Sequence, residues 1–159
     1  MDRIKMRNIL SLGLAAILTV ATSAHAAAPN YWYSSSTKGF DFYKITNQQG
    51  FTLTISCAEG YGGADNSVEL ANGSKVIEKE LTLVMDDIPV DIPTDTYTTN
   101  DDAITWEHFF DSLKDTKEIT VYTNNKKVAS FNPNAKNTSK IFSKAVCRAK
   151  KNWSSYLNM

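Results

Sequence analysis

Apolar and polar side chains alternate twice early in the chain, from Gly39 to Ile45 and from Phe51 to Cys57, which is the period of a strand with one buried face. Phe51, Leu53, Ile55 and Cys57 then share the core face. Asn47 to Gly50 has the composition of a short hairpin loop, so the two runs are expected to pair antiparallel. Gly60 to Asn66 carries three glycines in four positions and reads as a loop. A strand-like stretch follows it, where a phosphate cradle would need a helix. Asn72-Gly73 is a hairpin signal joining a strand over 67–71 to one starting near Lys75. Val76 to Met85 is extended, with a change of phase near Glu80-Leu81 that a bulge or a change of sheet would explain.

Asp86 to Asp95 is acidic and holds Pro89 and Pro93, each after an isoleucine. Proline cannot donate to a ladder and pushes its predecessor into extended geometry, so this stretch reads as an edge strand or extended surface segment. A helix over about 101–115 is predicted next, capped by Asp101-Asp102 and carrying an apolar stripe of Ile104, Trp106, Phe109, Phe110 and Leu113. Glu118 to Thr123 and Lys127 to Phe131 flank Asn124-Asn125-Lys126 as a further hairpin with a polar tip. A final helix over about 138–152 follows from the spacing of Ile141, Phe142, Ala145, Val146, Ala149 and Trp153, with Asn137-Thr138 at its start. The sum is a mainly β or α+β fold, an antiparallel sheet or small sandwich of about seven or eight strands with two helices.

Residues 1–26 stand apart from this pattern. Arg3, Lys5 and Arg7 precede an apolar stretch from Ile9 to Val20, and Ala24-His25-Ala26 has the small-x-small form of a signal-peptidase site. The stretch is too short for a membrane span. The expected product is one periplasmic or secreted domain over 27–159, 133 residues in length, with no transmembrane segment. Cys57 and Cys147 are the two cysteines of the chain, and outside the cytosol a lone pair most simply forms one intramolecular bridge. Such a bridge would contribute about 4–5 kcal/mol in the chain-entropy account. Free buried thiols and an intermolecular link are the alternatives.

Of 17 basic and 17 acidic residues, losing Asp2, Arg3, Lys5 and Arg7 leaves 14 and 16, a net charge of −2. The charges are segregated. Glu78 to Glu118 holds twelve acids against three lysines, and Ile119 to Met159 holds eight basic residues and no acid. Folding could cancel this asymmetry or leave a two-faced surface. The residues that would form such a surface are Asp86, Asp87, Asp91 and Asp95 on the acidic side and Lys140, Lys144, Arg148 and Lys151 on the basic side.

Catalytic and metal chemistry has few candidates. Outside the leader the sole histidine is His108, which removes multi-histidine zinc sites, and paired cysteines remove thiolate ligands and a Cys–His nucleophile. No G-x-S-x-G elbow supports a serine triad through His108. The acidic stretch lacks the D-x-[DN]-x-[DN]-G order of a calcium loop. Two of Asp86, Asp87, Asp91, Glu107 and Asp111 could serve as the acid pair of a small glycan hydrolase, and this is the alternative function. The basic final stretch with Trp153 and Tyr156 could bind nucleic acid, lipid headgroups or an acidic protein, or could simply be solvated. Export and slight acidity argue against nucleic acid.

Residues 109–147 resemble the C-terminal half of exported bacterial proteins related to invasion-associated locus B. The likeness lies in the order of a short helix, a strand, a brief turn, a strand ending in an aromatic at Phe131, a small-residue-rich helix and the late Cys147. Asn132 to Lys136 departs from it where a glycine-containing link would stand. The resemblance implies a periplasmic β-rich fold and transfers no active site. The expectation from all these signals is a non-enzymatic exported binding or accessory protein, such as an inhibitor, immunity or envelope-machine factor. It would act on another envelope or secreted protein and use no cofactor or metal.

Overall fold

A computed structural model describes residues 28–58, 65–77, 80–93, 96 and 99–149. The expected leader, Asp95, Lys151, Trp153 and Tyr156 lie outside the described residues, as does most of the glycine loop.

Nine strands and two helices appear among the described residues, in two antiparallel sheets. The first sheet runs in sequence order: β1 (Trp32–Thr37), β2 (Phe40–Thr46), β3 (Phe51–Ala58), β4 (Ser67–Asn72) and β5 (Lys75–Val76). The second holds β6 (Leu81–Met85), β7 (Ile88–Val90), β8 (Ile119–Thr123) and β9 (Lys126–Phe131) in the order β7-β6-β8-β9. α1 (Asn100–Ser112) lies between β7 and β8 in the chain, and α2 (Ala135–Phe142) follows β9. The mainly antiparallel fold with two helices is the one the alternation predicts. The phase change near Glu80-Leu81 marks a change of sheet, since β5 belongs to the first sheet and β6 to the second.

Turn chemistry fixes the registers. Lys38-Gly39, Asp86-Asp87 and Asn124-Asn125 each have positive φ at both residues, the signature of a two-residue type I′ hairpin whose twist matches the flanking strands. Asp86-Asp87 is therefore a tight turn between Met85 and Ile88, where the acidic, proline-bearing pattern predicts continuous extension. β7 bears out the edge placement, with Pro89 at the margin of the second sheet. In β9 the register slips between the pairs Val121–Ala129 and Tyr122–Lys127, which leaves Val128 as a bulge residue.

Buried residues from both sheets and both helices form one apolar cluster. β2 and β3 supply Tyr43, Ile45, Leu53, Ile55 and Cys57, and β6, β8 and β9 supply Leu83, Met85, Ile119, Val121, Ala129 and Phe131. α1 adds Ala103, Trp106, Phe109, Phe110 and its C-cap Leu113, whereas Ile104 of the predicted stripe is exposed. Phe142 joins the layers, its ring lying 5.1 Å from Trp32, 5.4 Å from Tyr43 and 5.5 Å from Phe110. Edge-to-face and offset geometry of this kind adds to area burial.

Both helix starts differ from expectation. Thr99 is the N-cap of α1, accepting the Asp102 amide at 3.1 Å while its hydroxyl donates to the Asp102 carboxylate at 2.6 Å. Asp102 thus serves as the third helical residue of a reciprocal cap rather than as the cap. In α2 the Asn134 side chain caps by accepting the Asn137 amide, which frees Asn137 for another task.

The helix predicted over 138–152 ends at Phe142. Beyond it Cys147 and Ala149 are buried while Val146 and Arg148 are exposed. That is a period of two. The apolar spacing from Ile141 to Ala149 fits a helix and an extended chain equally, and the tertiary anchor at Cys147 selects the extended form.

Candidate interaction surfaces

Cys57 and Cys147 form the expected disulfide, 90 residues apart in sequence, with Cα atoms 5.3 Å apart. It joins the core face of β3 to the extended segment after α2. Trp106 of α1 donates its indole N–H to Cys147 Sγ at 3.3 Å, so strand, helix and C-terminal segment meet at the sulfur bridge. Asn66 adds a second tie, accepting the Ala58 amide at 2.8 Å and donating to the Arg148 carbonyl at 3.5 Å. It is 3% exposed, and a buried amide in that position must be paired to be tolerated.

These anchors shape a groove of about 570 Å³ between α1 and the chain over 145–149. Glu107, Asp111 and Lys114, spaced four and three residues apart, form the α1 wall. Val146 and Arg148 line it from the side of the 145–149 segment, together with Cys147. Lys114 and Asp111 form an ion pair at 2.6 Å. Both partners belong to the acidic segment, so this pair does not neutralise the basic end of the chain against it.

The residues singled out by charge are not gathered at one place. The Asp86 carboxylate accepts the Lys117 amide at 3.0 and 3.2 Å and the Glu118 amide at 2.8 Å. It is committed to holding the turn against the start of β8. Asp87 and Asp91 are exposed and lie outside the groove. Lys140 and Lys144 are exposed on and just after α2, and Arg148 lines the groove. Asp95 and Lys151 fall outside the described residues. Lys114 and Val146 were not legible as surface candidates, although the 107, 111, 114 spacing on the polar side of α1 was a usable signal. His108 is exposed on α1. Among the described residues no three His, Cys, Asp or Glu side chains are placed to hold a metal, and no helix is long and apolar enough to cross a membrane.

A second recess of about 240 Å³ is lined by Asn30, Asn47, Gln48, Gln49, Ser130 and Asn132. Its amides serve the fold. Asn47 accepts the Gln49 and Phe51 amides at 3.0 Å each and donates to the Ser130 carbonyl at 3.0 Å, and Asn30 accepts the Asn132 amide at 3.2 Å.

The fold and its staple define a small disulfide-bonded α+β protein with polar clefts at its surface. The YfjT family matches residues 30–142, from just before β1 to the end of α2, and the chain belongs to that family. Two Escherichia coli K12 proteins are similar to it. YfjT is 29% identical over 146 residues, covering 86% of this chain and 93% of its own length. YkfB is 29% identical over 147 residues, covering 85% and 94%. No solved structure matches.

Proposed function

We propose that this is a non-enzymatic periplasmic or secreted accessory protein that acts by binding another envelope or secreted protein, with the groove between α1 and residues 145–149 as the contact centre. The observation that carries this reading is the arrangement of the groove's charges. Glu107 and Asp111 lie one helical turn apart on the same wall, and Asp111 is engaged by Lys114. A glycan hydrolase needs two carboxylates on opposite sides of the bond to be cut, and the groove offers an ion-paired wall facing Arg148 instead. Mixed charges around the exposed Val146 suit a protein surface, where rim charges steer docking and a central apolar contact supplies affinity. The export-like pattern of residues 1–26, the disulfide and the resemblance to invasion-associated locus B proteins support the envelope setting.

The test is capture of partners from periplasmic extract by the tagged protein, at low and at high salt. One or more partners should be retained at low salt, released as ionic strength rises, and lost in Arg148→Glu with the circular dichroism spectrum unchanged. Failure to enrich any protein at either salt would refute the reading. So would glycan hydrolysis that disappears in Asp111→Asn.

A further inference from the structure

Among the described residues β1 is an open sheet edge, and the other edges are blunted. Of the four edge strands among the described residues, β5 is two residues long and carries Lys75, β7 is three residues long with Pro89 at its centre, and β9 begins Lys126-Lys127. Shortness, proline and lysine are the devices by which natural sheets prevent edge-to-edge pairing. β1 is six residues long and reads Trp-Tyr-Ser-Ser-Ser-Thr, with no proline and no charge. Tyr33 to Thr37 are exposed.

The edge is also competent for pairing, as Asn137 demonstrates. Its side-chain amide accepts the Trp32 N–H at 2.6 Å and donates to the Trp32 carbonyl at 3.0 Å, which is the two-bond exchange a neighbouring strand would make. The backbone groups of Trp32 therefore point away from β2. In an antiparallel ladder the outward groups alternate, so those of Ser34 and Ser36 point the same way.

We propose that two copies of this chain pair through β1 in antiparallel fashion about a two-fold axis, joining their five-stranded sheets. Asn137 sets the register. It occupies the outward groups of Trp32, so an added strand can run along residues 33–37 and no further. A symmetric pairing of that span centres on Ser35, with Ser34 hydrogen-bonded to Ser36 of the second copy and Tyr33 opposite its Thr37. A second copy is the occupant because this uncharged hydroxyl strand meets no like charge in its own image, and a self-complementary patch is what two-fold symmetry requires. The paired span is short, so the dimer is concentration-dependent and not obligate. This inference is independent of the groove and of its partner.

Sedimentation velocity on the purified protein, with Cys57–Cys147 intact, should show a monomer–dimer equilibrium. Ser34→Pro removes an outward N–H at a position where an edge strand tolerates proline, and Ser35→Lys places two ammonium groups opposite each other. Both should be monomeric at concentrations where the parent is dimeric, with unchanged circular dichroism. Ser35→Cys should give an oxidised dimer on non-reducing gels, because directly opposed residues of this pair type lie about 4.5 Å apart. Thr37→Cys should not, since its copies sit four positions out of register, roughly 14 Å apart at ~3.4 Å per residue. A parent protein that stays monomeric up to its solubility limit would overturn the proposal. So would a dimer that survives both Ser34→Pro and Ser35→Lys, or cross-linking that is equal at positions 35 and 37.

Discussion

Asp86 shows how little a residue's charge says about its role. In the sequence it belongs to an acidic run and reads as surface charge. In the fold it adopts φ 48° in a tight turn and its carboxylate accepts three short contacts from the Lys117 and Glu118 amides. Asp and Asn tolerate that backbone region better than other side chains with a Cβ. Asp86→Ala should therefore cost about 1–2 kcal/mol, from the lost charge-assisted bonds and from turn strain. Asp86→Asn, which keeps an acceptor oxygen and the tolerance for positive φ, should cost less than half of that. Urea unfolding of the two variants side by side checks the ranking. Equal losses would mean that the charge, which both variants lack, carries the whole effect and that the acceptor oxygen and turn tolerance kept by Asn add nothing.

Among the elements, the final segment departs furthest from its sequence pattern. Ile141, Phe142, Ala145, Val146 and Ala149 lie at helical spacing, yet the helix stops at Phe142. Two periods coincide in this stretch, since positions 145, 147 and 149 also alternate. Long-range bonds from Cys57, Trp106 and Asn66 to residues 147 and 148 then decide the matter. A proline at Val146 discriminates the two forms. Inside a helix it would cost about 3 kcal/mol or more, whereas at the exposed Val146, beyond the end of α2, Val146→Pro should cost less than about 1 kcal/mol, read from the shift in the urea midpoint. β1 escaped sequence reading for a related reason. Only Trp32 of its six residues is buried, so there is no alternation to detect, and it is recognised as a strand by its pairing with β2.

For the whole molecule, the disulfide is the long-range constraint on which the groove depends. Removing it by Cys57→Ser with Cys147→Ser should cost about 2–5 kcal/mol and release residues 145–149 from α1. Hydrogen exchange should report faster exchange over 145–149 than over β3, because β3 keeps its ladders with β2 and β4 on both sides. Uniform acceleration across both regions would instead place the bridge in the global core alone. The aromatic junction at Phe142 and the single buried cluster make the two sheets interdependent, so the loss should appear as a lower midpoint of one cooperative transition.

The sequence by itself determined the strand periods of β2 and β3, the hairpin at Asn124-Asn125, the apolar stripe of α1 and the identity of the bridging cysteines, because each rests on spacing along the chain or on a count of two. Tertiary structure alone decided where α2 ends, that Asp86 is spent on a turn, that Glu107 and Asp111 share a wall with Lys114, and that among the described residues β1 is left as an open edge. Those outcomes depend on which distant backbone groups find partners, and that information is carried by the packing of the whole chain and by no local stretch of it.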